Sequence, residues 1–349
     1  MHIREFYYKG KAKIRYMFYN RNYRKKWYPY LYGSYWHMRL QRKLPENKYQ
    51  NYFAARPNPG AGIGHQIANW IAGYWFAKQF GLLFAHISFS DSRIPYTKSS
   101  WEDFLGFGWG EVRMEELIKE KNYRIVRIPM FGESREQDME MIRSIIRSYT
   151  NQRVVFLAEQ DQFYSDQYGV MEVIQKKFQN APVEREKLLY EEEEGIHIAI
   201  HIRRGDVTEN SSNPNIRMRW LDTDYYARVL KLLLKKLEGR KFHIYIFSQG
   251  TKEEFQEDFS FPNVHYCLDM MAQNTFWHLT QADILIISKS SFSYKPALLS
   301  SGIIIAPKHF WHGYPELERW IIVDEEDIQE EAFFPVQLLL ENIGDWKNP

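Results

Sequence analysis

The chain has one cysteine, Cys267, in 349 residues. A single thiol excludes an intrachain disulfide and every zinc or iron–sulfur site built from several cysteines. It also fits a reducing compartment. Charge of one sign is lacking: 46 Lys and Arg stand against 44 Asp and Glu, a formal charge of only +2. Long hydrophobic runs are missing too. A signal peptide needs about 7–15 apolar residues behind a short basic region, and a membrane-spanning helix about 20. The longest runs here, such as Ile303–Pro307, are strand-sized. The expectation is a protein without a membrane span, cytoplasmic or peripheral to a membrane. No repeat or low-complexity tract is present. The nucleophile elbow G-x-S-x-G, the phosphate loop with its Lys-Ser/Thr and the complete G-x-G-x-x-G fingerprint are absent, which argues against hydride transfer.

What is present is an ordinary globular composition, 44% hydrophobic and 26% charged, long enough at roughly 100–200 residues per domain for two cores. The small net charge conceals an asymmetry. Residues 1–50 hold 13 Lys and Arg against Glu5 and Glu46, a net of +11, and the remainder carries −9. The same fifty residues contain 14 of the 58 aromatic side chains. Three readings of this basic, aromatic arm stay open: a tyrosine-rich strap over the fold, a peripheral membrane anchor working at headgroup level, or a nucleic-acid contact.

Beyond the arm the pattern alternates between strands and helices. Tyr52–Ala55 reads as a strand, followed by the loop Arg56–Gly64, a helix over 65–80 and a strand at Leu82–Ile87. Further strands are expected at Arg124–Pro129 and Val154–Leu157, with a helix over 134–149 between them. The acidic run Glu191–Glu194 precedes a strong strand and reads as a solvated domain boundary. In Ile196–Ile202, Ile196, Ile198, Ile200 and Ile202 face one side, and His197, Ala199 and His201 the other. Leu230, Leu233, Leu234 and Leu237 form the apolar stripe of a helix that Asp222 is placed to cap. Strands at Phe242–Phe247, Val264–Cys267, Ile284–Ile287 and Ile303–Ala306 alternate with helices at Asn274–Gln281 and Tyr294–Ser300. The sequence thus predicts an α/β protein with two Rossmann-like halves: an arm 1–50, a domain 51–190 and a domain 191–349.

Ligands of open parallel sheets bind beyond the carboxyl ends of the strands. In the second half those ends carry His201-Ile-Arg-Arg-Gly-Asp206, Ser248-Gln249, Asp269 and Ser288–Ser293. The set suits a nucleotide. Arg203 and Arg204 offer planar donor forks for phosphate oxygens, and Asp269 can accept two hydrogen bonds from a guanine edge. The helix opening near Phe292, after Ser290 and Ser291, presents N–H groups and partial positive charge. Asp222-Thr-Asp224 looks like a D-x-D metal site, but it opens a leucine-striped helix, where capping explains it. The 11 histidines suggest no metal cluster, and no cofactor or metal is expected.

At these residues the sequence resembles the fucosyltransferases. His201-Ile-Arg-Arg-Gly-Asp206 is similar to the H-x-R-R-G-D motif of the α-1,2- and α-1,6-fucosyltransferases. In the same order along the chain, Gly62-Ile-Gly64-His65-Gln66 resembles the early G-x-G-N-Q loop. Glu159–Tyr168 resembles the aromatic, glutamine-containing segment before the crossing to the second domain. Asp224-Tyr-Tyr226 and Phe247-Ser248 match the D-Y-Y helix and the F-S strand end. Asp283–Ala297, with Ser290-Ser-Phe-Ser293, resembles the S-S-F-S-W-W stretch, nearest to the α-1,2 branch. His65 stands in place of the usual Asn, and Tyr294-Lys295 in place of the aromatic pair.

The resemblance implies a GT-B-like enzyme, two Rossmann-like domains facing across a cleft, that transfers L-fucose from GDP-fucose to a glycan hydroxyl with inversion and without a metal. It implies donor contacts from His201, Arg203, Arg204, Asp206, Ser248, Asp269, Ser290, Ser291 and Phe292, and a glycine-rich loop at Gly62, Gly64, His65 and Gln66. Arg203 and Arg204 would meet the charge developing on GDP. Candidates for a base at the acceptor hydroxyl are Asp206, Glu209, Glu159 and Asp161. Asp206 is better placed to orient the arginine loop, so Glu209 and Asp161 rank first. A protein hydroxyl as acceptor, another GDP-sugar as donor, and a non-enzymatic nucleotide- or nucleic-acid-binding protein acting through the arm are the alternatives.

Overall fold

A computed structural model describes residues 17–18, 21–58, 61–89, 100–158 and 167–341. The chain divides into two compact units. The first comprises Met1–Asn58, Gln66–Phe89 and Gly110–Tyr164, the second Pro59–His65, Ser90–Trp109 and Ser165–Pro349.

The first unit is built on five parallel strands: β1 (Tyr52–Ala55), β2 (Leu83–His86), β3 (Val112–Arg113), β4 (Arg124–Arg127) and β5 (Val154–Ala158). They lie in the order β3-β2-β1-β5-β4. Every β5 side chain is buried, as an apolar central strand requires. The arm is part of this unit. Its described residues run as a tight turn at Tyr28–Leu31 and a helix at Gly33–Leu40. Tyr28 and Tyr32 are buried against Met130. Ser34 donates to the Arg127 carbonyl at 2.7 Å, and Gln41 to that of Ser148 at 3.0 Å. The described arm is a strap, as the first of its three readings expects.

The second unit carries β6 (Ile196–His201), β7 (Phe242–Ser248), β8 (Val264–Leu268), β9 (Ile284–Ile286), β10 (Ile303–Pro307) and β11 (Trp320–Val323). All pair in parallel, in the order β11-β10-β9-β6-β7-β8. The chain winds outward from β6 to β8, returns to the centre at β9, and winds the other way. The direction therefore reverses between β6 and β9, where a doubly wound sheet opens a crevice. The alternation of β6 sets its faces: Ile198, Ile200 and Ile202 are buried with Leu230, Leu233 and Leu237 of the helix Thr223–Lys236. Leu234, the fourth member of the expected stripe, is only partly buried.

The last crossing between units falls after Tyr164, not at the acidic run near residue 190. Packing explains this. The helix Met171–Gln179 is fixed to the second unit by Gln175, which donates to the Leu298 carbonyl at 2.9 Å. The Arg185 guanidinium lies 4.0 Å from the Phe178 ring centre and 4.7 Å from that of Trp277.

Candidate functional site

Strand β6 delivers His201 to its carboxyl end, and Ser288 follows β9 on the adjacent strand. The parallel register, Ile198 with Ile284 and Ile200 with Ile286, makes these two ends meet. His201 Nδ1 lies 2.9 Å from Ser288 Oγ. Ser288 Oγ is 3.2 Å from Ser293 Oγ, and its hydroxyl offsets part of the upward shift that burial gives the Tyr226 phenol. Burial, with the positive charge of Arg203, pushes the His201 pKa down to about 3. The ring is neutral at pH 7, one nitrogen donating and the other accepting. Ser290 caps the next helix, its Oγ accepting the Phe292 N–H at 3.2 Å. That cap starts the helix at Ser291, three residues earlier than the sequence reading.

The loop after β6 holds the arginines. Arg204 is buried, its guanidinium stacked 3.8 Å from the Trp220 ring centre and donating to the Arg203 carbonyl at 2.9 Å. Gly205 turns the chain at φ +78°, a conformation that disfavours a side chain. Arg203 is held instead by Asp206 and keeps part of its side chain in solvent. A third guanidinium, Arg219, shares this environment: burial lowers its pKa, as does Arg203, while Asp206 raises it. Its Nε is buried without a hydrogen-bond partner among the described residues. Burial lowers the Arg204 pKa as well. Partly dehydrated cations in this density form a site for a multiply charged anion.

At the neighbouring strand ends, Ser248 and Asp269 complete the rim. The Ser248 hydroxyl donates to the Ile202 carbonyl at 2.9 Å, and the Asp269 N–H to the Ser248 carbonyl at 3.0 Å. Asp269 holds φ +52°, left-handed for a residue other than glycine, with its carboxylate exposed.

The sequence matches the family model described as glycosyl transferase family 11 over residues 118–313, more than half the chain. The chain belongs to this family. It is a glycosyltransferase of the fucosyltransferase superfamily that the arginine motif resembles. No curated protein matches the sequence. Among solved structures, it is similar to NodZ fucosyltransferase from Bradyrhizobium, at 13% identity and a TM-score of 0.42 over 73% of this chain and 94% of that one. A NodZ α-1,6-fucosyltransferase soaked with GDP-fucose gives 13%, 0.40, and 73% and 94%. POFUT1 in complex with GDP-fucose gives 12%, 0.39, and 74% and 96%.

In this transferase the expected donor residues divide by exposure. Arg203, Asp206, Asp269, Ser291 and Phe292 keep accessible surface at the carboxyl end of the sheet. His201, Arg204, Ser248 and Ser290 are buried, with polar atoms hydrogen bonded inside the protein, so they shape the rim rather than line it. Glu209 is exposed on the turn beyond the arginine loop. Asp161 and Glu159 lie outside the described residues. Asp222 occupies the cap position of its helix, yet its side chain makes no cap bond and instead accepts the Trp220 indole N–H at 3.0 Å. Asp224 pairs with Arg228 at 2.7 Å. The capping expectation is thus corrected in detail: Asp222 positions the tryptophan beneath Arg204. Sequence reasoning missed Trp220, Arg219 and the structural role of Tyr226, which no periodicity marks.

The glycine-rich loop serves close approach. Gln66 is buried, and the Gly62 carbonyl accepts the His65 N–H at 3.1 Å. A Cβ on Gly64 would lie 2.7 Å from the Ser291 carbonyl carbon and oxygen and 2.9 Å from the Phe292 nitrogen. Those are backbone atoms of the helix start, so something must shift. Gly64→Ala is expected to cost about 1–3 kcal/mol of stability and to weaken nucleotide binding, read by thermal melting with and without donor. Wild-type values for both would show that the contact carries no weight.

Proposed function

We propose that this transferase moves L-fucose from GDP-fucose to a hydroxyl of a glycan acceptor, forming an α-1,2-type linkage with inversion at the anomeric carbon. The observation that supports this best is the cluster of Arg203, Arg204 and Arg219 at the carboxyl end of β6, where the His201 ring centre lies 5.4 Å from that of Phe292 in the first turn of the helix after β9. As the sugar–phosphate bond breaks, the sugar gains positive character and the diphosphate gains negative charge. Arg203 meets that charge directly, while Arg204 and Arg219 raise the local potential. The guanidiniums carry the leaving group's charge in this reading, with no metal ion in the step. Asp269 accepts hydrogen bonds from the guanine edge. Glu209 or Asp161 takes the acceptor proton, a role worth about 10²–10⁴-fold. A thermal-shift panel of GDP, UDP, CMP and their sugars tests the donor. Stabilisation by GDP and GDP-fucose is expected, and a preference for UDP would sink the assignment.

Arm residues Trp27, Tyr30, Leu31, Trp36 and Leu40 are exposed among the exposed cations Arg24, Lys25, Lys26 and Arg39. This mixture suits docking on an anionic membrane surface, where each basic residue contributes about 1 kcal/mol. No helix among the described residues is long and apolar enough to cross a membrane. The protein should co-sediment with vesicles containing anionic lipid and be released by salt. Equal recovery with neutral and anionic vesicles would overturn this reading.

A further inference from the structure

The histidines that suggest no cluster in the sequence converge in the fold. His197, His243 and His265 lie on the adjacent parallel strands β6, β7 and β8. The pairings of His197 with His243 and of Tyr245 with His265 place all three on the sheet face opposite the isoleucine core. They occupy the amino half of the strands. From His197 to His201 is four residues, roughly 13 Å along the strand, so this group stands apart from the donor site at the other end.

His243 Nδ1 lies 3.1 Å from His265 Nε2, and His243 Nε2 lies 3.5 Å from Glu193 Oε2. One ligand atom each from Glu193, His243 and His265 fall within 4.8 Å of one another. Zinc with bonds of about 2.0–2.1 Å holds tetrahedral ligand atoms about 3.3 Å apart; His243 offers the ion only one of its two nitrogens, so the three ligand atoms, within 4.8 Å of one another, draw together to reach that spacing. The rings are braced. His265 stacks on Tyr245 at 4.6 Å between centres. His197 fixes the backbone that carries Glu193: its Nε2 lies 2.9 Å from the Glu193 carbonyl and its Nδ1 3.2 Å from Asp283 Oδ2.

The acidic run, read from sequence as a solvated boundary, sorts itself around this site. Glu191 accepts the Leu188 N–H, Glu192 pairs with Lys187, and Glu194 with Lys241. Glu193 turns to the histidines, and no lysine or arginine pairs with it among the described residues. A second group, His309, Asp324 and Glu325, lacks this character, because Lys308 and Lys289 already neutralise its carboxylates at 2.9 and 2.6 Å.

We propose that Glu193, His243 and His265 bind a divalent transition-metal ion of the zinc type, with water completing four ligands. Two imidazoles and one carboxylate are a borderline-soft donor set that suits zinc over calcium or magnesium. The ion is structural: it ties the segment entering β6 to the two strands at the edge of the sheet, away from the transfer reaction.

The test uses untagged full-length protein stripped with a chelator and titrated with zinc chloride. One zinc per chain is expected, with a rise in Tm of about 5 °C at saturation. Cobalt chloride should give the visible absorption of a tetrahedral site. His243→Ala with His265→Ala should abolish the cobalt band and the zinc-dependent rise while the metal-free melt stays cooperative. Should that pair fail to fold, Glu193→Gln alone should weaken zinc binding at least tenfold. Absence of a zinc-dependent shift in the wild-type protein overturns the proposal. So does a shift and cobalt spectrum that survive in these variants, since the metal would then sit on other surface groups.

Discussion

Arg203→Ala should lower kcat/KM by about 10²–10³-fold, the roughly 2.7–4 kcal/mol carried by one preorganised electrostatic donor. Arg203 is the residue of choice because its side chain is partly exposed at the strand end and fixed by Asp206. It is aimed without being part of the core, so its loss should leave Tm nearly unchanged. Arg204→Ala would be harder to interpret, since that guanidinium also fills the space against Trp220. Arg203→Lys makes the useful companion. It keeps the charge but loses the planar fork, and an activity between wild type and alanine would separate charge from geometry. Full turnover of GDP-fucose by purified Arg203→Ala would remove Arg203 from the mechanism.

Stability should fall as pH drops below about 6.5, before most carboxylates titrate. Burial and the Arg203 charge hold His201 down at about 3, and burial with Lys295 and His65 holds His312 down at about 2, each from 6.5. In the unfolded chain both rings bind a proton near 6.5, whereas in the folded chain they stay neutral until far lower pH. Protonation therefore favours the unfolded state. Their contribution is intact above 6.5, declines through the interval between 6.5 and about 3, and is lost once the folded rings protonate. The slope is about 1.4 kcal/mol per pH unit for each histidine. His37, His265 and His278 shift the same way. Urea unfolding at pH 7.5, 6.0 and 5.0 reads the slope directly. His201→Asn should flatten it, and a free energy constant across this range would contradict the burial of neutral imidazoles.

Much of the second unit is legible in the sequence, because a parallel strand announces itself as an apolar run and its helix as a leucine stripe. Alternation in Ile196–Ile202 places the isoleucines in the core and His201 at the strand end, as found. The arginine loop is legible for the same reason, since it must follow β6. The winding order is not legible. Nothing local says that β9 returns beside β6, so the contact of His201 with Ser288 is invisible until the sheet is assembled. Trp220 and Arg219 are hidden likewise, because they reach the loop through three-dimensional proximity alone. The packing of the described part of the arm on the first unit rests on burial of Tyr28 and Tyr32, which composition cannot supply. The histidine group escaped because its spacing lies across strands rather than along the chain.

The reversal between β6 and β9 also sets an order in time. His201 and Ser288 stand 87 residues apart in the chain, yet share one hydrogen bond. During synthesis at about 5–20 residues per second, Ser288 leaves the ribosome roughly 4–17 s after His201. Strand β7 can pair with β6, and β8 with β7, meanwhile, leaving the other edge of β6 bare until β9 arrives. The candidate site at the carboxyl end of the sheet is thus completed late in translation. The exposed edge of β6 is in that interval the point at which the growing chain depends on protection from other strands.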